Sequence, residues 1–476
     1  MLSAHRVEQI RTAEAVLLDE LDDGALMARA ATGLAHCIAD FLRARHGRTY
    51  GTRVLLLVGS GNNGGDALFA GAWLAGRGVA VRMLPLGDSP HPAGLVAARA
   101  AGARLIDLDE ARRFDPQVVV DGIVGIGGHP GLRPDAEAAL AALAGAPVIA
   151  VDLPSGVDTE SGETPATHVT AELTITFGTH KVATLVDPAA SACGDVVLLD
   201  IGLALPEPVI EVLEARDVAA LLPLPQRRDH KYTRGVVGVR AGSPTYPGAA
   251  SLCVAGAATG LVGMVRYVGQ VDVERDVRRR FPEVVGAGQV QAWAVGSGGA
   301  EGAGDALAAA LADGVPVVVD ADALAHASGH LVPGHDHRVV LTPHAGELAA
   351  MLDVGRDEVE AAPLRHAAHA AERFGACVLL KGSRTVVVSP TGRVRVNPTG
   401  TPWLATAGAG DVLTGLIGAL LAAGLDLLDA ASVGAWLHGA AAERAAGGGP
   451  LVASDVARLL PGSVRDLAVG MRESPA

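Results

Sequence analysis

The chain has 476 residues, more than one hydrophobic core usually serves, so two domains are expected. Hydrophobic residues at 49% and charged residues at 19% exclude a disordered chain, and an aromatic share of 3% leaves Ala, Val and Leu to fill the cores. A net charge of −14 argues against general nucleic-acid affinity and lends no support to an anionic membrane surface, so any anionic ligand must be held by helix N-termini and a few placed Lys or Arg.

The N-terminal residues carry no continuous apolar run, because Glu8, Glu14, Asp19 and Glu20 interrupt it, and no signal peptide is expected. Short β-branched runs then alternate with Ala/Leu-rich segments, the pattern of parallel sheets covered by helices. In the first half the expected strands are Val54–Val58, Val79–Leu84, Val118–Asp121, Val148–Val151, Leu173–Phe177 and Val196–Leu199. The first, third and fourth end in Gly, Asp or Ser clusters, and the carboxyl ends of such strands are where α/β sheets bind ligands. Pro206, Pro208, Pro223 and Pro225 surround a short acidic stretch, Glu211–Leu222, which reads as a linker. This divides the chain into a domain 1–210, a linker 211–225 and a domain 226–476. Beyond the linker the expected strands are Val236–Val239, Trp293–Val295, Val315–Asp320, Val339–Leu341, Val378–Leu380 and Val386–Val388. No repeat of fixed period appears, so two unrelated α/β domains are expected. Val412–Leu425, the longest apolar stretch, is too short to span a bilayer. Cys37, Cys193, Cys253 and Cys377 have no metal spacing and read as buried thiols in a reducing, cytoplasmic compartment.

Gly59-Ser-Gly-Asn-Asn-Gly-Gly-Asp66 follows a strand and opens a helix, the context of a phosphate-binding turn, with Asn62 and Asn63 as extra donors and oxygen ligands. Three more clusters follow: Val120 to Gly131, Val151 to Asp158 and Thr176 to Lys181. Together with Gln9–Glu14 and Leu26–Ala31, they make residues 1–203 resemble the NAD(P)H-hydrate epimerase domain. The resemblance implies a Rossmann-like three-layer domain that interconverts the R and S epimers of hydrated NADH or NADPH with the help of potassium. It implies Asp152 as acid/base and substrate anchor, and Asn63, Asp121 and Ser155 as potassium ligands. The substrate would be held by Asn62, Asn63, Gly64, Gly65, Asp66 and Asp152 and by the loop Gly125, Ile126, Gly127, Gly128, His129, Pro130 and Gly131. That loop departs from the family's usual Gly-Thr-Gly-Leu. Lys181 reads either as a phosphate partner or as a solvated surface lysine.

In the second half, Ala405-Thr-Ala-Gly-Ala-Gly-Asp411 ends at the mouth of an apolar helix, where a glycine turn and the helix dipole together suit an anion beside a base. It closes a series formed by His230–Lys231, Gly242–Ala250, Gly296–Gly299, Asp320–Leu324, Thr342–Glu347 and Lys381–Thr385. This order, over residues 226–465, is similar to the ADP-dependent NAD(P)H-hydrate dehydratases, and the pair of halves resembles the bifunctional NAD(P)H-hydrate repair enzymes. A ribokinase-like α/β fold is implied, with ADP as co-substrate and Mg²⁺ bridging phosphates through water. Asp411 would be the base, and the N–H groups of Ala409, Gly410 and Asp411 the anion hole. Ala249, Gly298, His344 and Asp411 would meet the hydrated nicotinamide. Lys381, Gly382, Ser383, Arg384, Thr385 and Gly410 would meet ADP. Asp320 and Asp322 read either as a water-mediated Mg²⁺ site or as strand-end caps, and His438 as a core histidine. The implied partners are small molecules, with no nucleic acid and no membrane; a homo-oligomer is left open. The competing reading is a ribokinase-type small-molecule kinase with a non-catalytic N-terminal nucleotide-binding module.

Overall fold

The computed structural model describes residues 1–473 apart from Asp88, Pro333 and Asp336; residues 474–476, the end of the expected second domain, lie outside the described residues. Two compact units emerge, Ser3–Val209 and Ile210–Ala476, the latter with Met1–Leu2.

The N-terminal unit contains β1 (Leu2–His5), β2 (Arg53–Val58), β3 (Ala80–Pro85), β4 (Arg104–Leu105), β5 (Val118–Gly122), β6 (Val148–Val151), β7 (Leu173–Phe177), β8 (His180–Lys181) and β9 (Asp195–Leu199). Seven of them form a parallel sheet in the order β4-β3-β2-β5-β6-β7-β9. That is a Rossmann-like order, in which the chain reverses direction across the sheet between β2 and β5. Alternation along β2 builds the layers. Val54, Leu56 and Val58 pack with helices Ala25–His46 and Asn62–Ala75, whereas Leu55 and Leu57 pack with Ala111, Ala136 and Ala139 on the other face. Helix Ala25–His46 is long and apolar enough to cross a bilayer. Its Leu34, Ile38 and Leu42 are instead fully buried in this core. The short pair β1 and β8 was not expected from sequence, since neither has a β-branched run; they align in parallel, Ala4 with His180 and His5 with Lys181.

In the C-terminal unit the strands are β10 (Ile210–Val212), β11 (Val236–Arg240), β12 (Met264–Tyr267), β13 (Ala292–Val295), β14 (Val317–Val319), β15 (Val339–Leu341), β16 (Cys377–Leu380), β17 (Thr385–Val388) and β18 (Val394–Asn397). Their order is β12-β11-β13-β14-β15-β16-β17-β18-β10. The expectation of parallel strands holds from β12 to β16 and fails after it: β16–β17 and β17–β18 are antiparallel. The loop between β16 and β17 is too short for a crossover helix, so a hairpin forms. The stretch 211–225 is also no free linker. Glu211 pairs with Arg395 of β18, and Leu213, Val218 and Leu222 join the unit's apolar core. Cys193, Cys253 and Cys377 are buried, as expected, but Cys37 is only half-buried.

Helix Ala409–Ala422 runs through this core with apolar residues on every side, the pattern of a fully buried helix. It crosses helix Pro247–Ala257 at backbone contact distance. A Cβ at Gly415 would stand 1.8 Å from the Cys253 carbonyl oxygen, and one at Gly256 would stand 2.0 Å from that of Val412. Only glycine fits, since the obstacle is main chain on both sides. Gly415→Ala is expected to lower stability by about 1–3 kcal/mol through overpacking; an unchanged urea midpoint would contradict this account of the crossing.

Candidate active sites

At the β2/β5 reversal the N-terminal unit has a cavity of about 500 Å³. Gly59 lets the turn after β2 touch the turn after β5, for a Cβ there would meet the Ile123 carbonyl oxygen at 1.8 Å. Helix Asn62–Ala75 then starts at the cavity, so its free N–H groups face it. Of the expected residues, Asn62, Asn63, Asp66, Gly125, Ile126, Gly127 and Asp152 line it. Gly64 and Gly65 are buried in the first helical turn, and Gly128–Gly131 lie outside the lining, with His129 and Pro130 exposed.

Asp152 follows β6 with φ of +66°, a left-handed backbone that an aspartate tolerates better than a bulky residue would. Its Oδ1 accepts from Thr176 Oγ1 and Phe177 N, each at 3.2 Å, and from the ammonium of Lys181. Lys181 is therefore no surface residue: it is 1% exposed and also donates to Thr176 Oγ1 and the Phe177 carbonyl at 2.9 Å. All these donors converge on Oδ1, which leaves Oδ2 for chemistry. Around the pair, burial and then the charges of Asp152 and Glu14 push the Asp66 carboxyl well above the ordinary range. Burial and Asp152 also raise Glu14, against the opposing charges of Lys181 and Arg11. Asp66 Oδ1 is buried with no hydrogen-bond partner among the described residues.

Beneath the cavity, Asp121 is fully buried at the end of β5. It accepts from Ser155 N and Ser155 Oγ at 2.7 Å and from Ile123 N at 3.2 Å. Burial wins over these hydrogen bonds and pushes its carboxyl up to about 6. The Asn63 side chain lies against Gly125 in the adjoining turn, and its amide nitrogen is buried with no partner among the described residues. Asn63, Asp121 and Ser155 are thus gathered around one short loop. Asn63 Oδ1, Ser155 Oγ and the Asp121 carboxylate, which has hydrogen bonds but no counter-charge of its own among the described residues, make an oxygen donor set of the kind that fits a hard, weakly hydrated cation.

The second site collects the carboxyl ends of β11 and β13–β16. Asp320, directly after β14, is 2% exposed and accepts from Lys381 Nζ at 2.8 Å and Thr342 Oγ1 at 3.0 Å. Burial opposes its charge, yet Lys381 and the hydrogen bonds prevail and hold it below the usual carboxylate range. Asp320 does not cap the helical turn that follows it, which removes the capping alternative there. Asp322 bonds instead across the site, accepting from Ala300 N at 2.9 Å. Lys381, flanked also by Glu347 Oε2 at 3.6 Å, is held above its ordinary value despite burial.

Gly408, at φ +87°, starts the helix that presents Gly410 and Asp411. A Cβ on Gly410 would lie 3.4 Å from Lys381 Nζ and 3.5 Å from Asp320 Oδ2, so the anion-hole turn abuts the ion pair. Burial and the charge of Asp320 push Asp411 up to about 6, against the Ser297 hydroxyl and Lys381. Gly298 follows Ser297 and touches Ala249, whose Cβ would be 2.6 Å from a Cβ on Gly298. His344 pairs with Lys381 in an isolated bridge, and its Nδ1 accepts from Glu347 N at 3.1 Å, capping helix Ala345–Leu352. Gly382 and Ser383 form an exposed rim of the β16–β17 hairpin, with Arg384 and Thr385 half-buried. His438 is a core histidine, with burial pushing its imidazole down to about 4.

Comparison with known proteins finds relatives for both halves of the chain. The family profile described as YjeF-related protein N-terminus matches residues 23–183, and the one described as NAD(P)H-hydrate dehydratase matches residues 237–455. A bifunctional NAD(P)H-hydrate repair enzyme of Mycobacterium leprae is 48% identical over 462 residues, covering 94% of this chain and 95% of that protein. The chain belongs to the bifunctional NAD(P)H-hydrate repair enzymes. Among solved structures, the ADP/ATP-dependent NAD(P)H-hydrate dehydratase of Bacillus subtilis, co-crystallized with ATP/Mg²⁺, is 30% identical. Its TM-score is 0.50, and the match covers 53% of this chain and 97% of that one. A ribokinase-like superfamily protein of Enterococcus faecalis, 21% identical with a TM-score of 0.50, covers 56% of this chain and 99% of its own and shares the fold.

For this repair-family chain, sequence reasoning missed Arg11, Glu14, Arg133 and Phe177 as lining residues and the burial of Lys181. Arg11 and Glu14 lie in the Gln9–Glu14 motif and Phe177 in the Thr176–Lys181 cluster, so their positions carried a signal; nothing local marked Arg133. Because Lys181 is the counter-charge of a buried carboxylate, Lys181→Met should destabilise the protein at neutral pH by about 3–5 kcal/mol. Urea unfolding would measure it, and a loss below 1 kcal/mol, about the value of an exposed pair, would refute the buried pairing.

Proposed function

We propose that the N-terminal unit epimerises hydrated NADH or NADPH and that the C-terminal unit dehydrates the S epimer at the expense of ADP, restoring the reduced dinucleotide. The observation that carries the reading is the shared layout of the two sites: a buried aspartate neutralised by lysine, beside carboxylates kept above their ordinary range and an open helix N-terminus. The Mycobacterium leprae relative is named a bifunctional NAD(P)H-hydrate repair enzyme, which supports two activities on this substrate.

In the first site Asp152 Oδ2 exchanges a proton with the substrate while Lys181 holds Oδ1. The phosphates lie at the N-terminus of helix Asn62–Ala75, near Arg11 and Arg133. Asn63, Asp121 and Ser155 would hold potassium, which would neutralise the buried carboxylate and stiffen the loop. In the second site Asp411 takes the proton of the substrate hydroxyl, whose oxygen attacks the terminal phosphorus of ADP as AMP leaves. The N–H groups of Ala409, Gly410 and Asp411 hold the transferring group. The ring nitrogen's lone pair then expels phosphate and re-forms the reduced ring. Ala249, Gly298 and His344 border the nicotinamide, and Lys381–Thr385 with Gly410 border the nucleotide. Mg²⁺, bound through water near Asp320 and Asp322, would neutralise phosphate charge. That none of the four cysteines forms a disulfide among the described residues supports action in a reducing compartment, the cytoplasm.

Asp411→Asn should remove dehydration by about 10²–10⁴-fold while sparing epimer exchange, and Asp152→Ala should do the reverse. Recovery of reduced-nicotinamide absorbance with ADP, alongside separation of the two epimers, reads both; a stable phosphoester without that recovery would instead indicate a kinase. Since the base must be ionised and Asp411 sits at about 6, kcat/KM for dehydration should fall below that pH and level off above it. A flat profile across pH 6 would remove Asp411 as the base.

Potassium has a separate test in stability. The Asp121 pKa is raised in the folded protein, so its ionisation costs stability as pH rises towards and past about 6, and that cost is absent below its unfolded value. Potassium should therefore raise Tm more than sodium at pH 8, with the gain vanishing as pH falls through 6 and in Asp121→Asn. An equal gain from both ions would rule the site out.

A further inference from the structure

A second cavity of the N-terminal unit, about 740 Å³, is larger than the one beside Asp152 and shares Glu14, Asn62, Asp66 and Phe177 with it. Asp152 and Lys181 line only the smaller one, so the reacting ring belongs there. The helix N-terminus at Asn62 borders both, which places a pyrophosphate at the junction. A dinucleotide anchored this way has one nucleoside left to place, and the larger cavity is the space that continues from the junction.

Its wall suits a planar base: Phe69, Trp73, Phe177 and Met27 supply an apolar surface. The chain has only six phenylalanines and four tryptophans, and two of the former and one of the latter stand here. Phe69 and Trp73 lie four residues apart on helix Asn62–Ala75, hence on one face. The Arg77 guanidinium lies 3.4 Å over the Trp73 ring and occupies it. Phe69, half-buried and steadied edge-on by His91 at 5.8 Å, is the ring available for stacking.

On the epimerase reading above, on which this rests, we propose that the larger cavity is the adenosine subsite of the hydrated dinucleotide, with Phe69 as its stacking platform. The smaller cavity then performs the chemistry, and the larger one selects dinucleotides over mononucleotides.

The test uses the full chain carrying Asp411→Asn, which silences dehydration, and follows exchange of the epimers of hydrated NADH with AMP as inhibitor. In that parent AMP should compete with substrate. Phe69→Ala should raise KM and the AMP inhibition constant together by about tenfold while kcat stays within about twofold, and Phe69→Trp should restore both constants. Ala93→Trp, which fills the same cavity from an exposed position, should act like Phe69→Ala even if that variant folds poorly. The proposal is overturned if AMP does not compete in the parent, if Ala93→Trp leaves the AMP constant unmoved, or if kcat falls with KM unchanged. A parent that exchanges no epimers at all would overturn the epimerase reading itself, and the subsite would fall with it.

Discussion

Each site depends on one buried aspartate paired with one lysine: Asp152 with Lys181, and Asp320 with Lys381. A buried charge without a counter-charge is costly, and the pairing offsets that cost. The carboxylate's charge then acts on its neighbours. It helps to raise Asp66 and Glu14 in one unit and Asp411 in the other. Environments that push neighbouring carboxyl groups apart in proton affinity provide an acid and a base at the same pH. Two different folds, with different strand orders, reach the same electrostatic arrangement.

The sheet explains why these groups meet. In both units the charged residues follow strands at their carboxyl ends, so residues far apart in sequence, such as Asp320 and Lys381, become neighbours. Both lysines come from segments that follow a strand other than the aspartate's own. The pairing therefore forms only when the sheet does, which makes the charge distribution a property of the folded unit.

Much of this was legible in the sequence because its signals are local. The glycine turns before Asp66 and Asp411, and the aspartates ending β-branched runs, announce ligand-binding strand ends without any knowledge of packing. Strands with long Val/Leu runs were equally plain. Burial was not: Lys181 looks like a surface lysine until Thr176, Phe177 and Asp152 close around it. The linker expectation failed for a related reason. Its prolines suggested a break, but whether Leu213, Val218 and Leu222 find a core depends on β18 and the helices of the same unit. The larger cavity was invisible for the same cause, because its wall joins the N-terminal helices to Phe69 and Phe177.

The glycine crossing of helices Pro247–Ala257 and Ala409–Ala422 has a meaning beyond stability. The first carries Ala249 and the second carries Asp411, and the two are locked main chain to main chain a few residues behind those positions. The spacing of the two helices is consequently set by main-chain contact and not by side-chain packing, so substitutions at the lining leave the relative placement of those two positions in place.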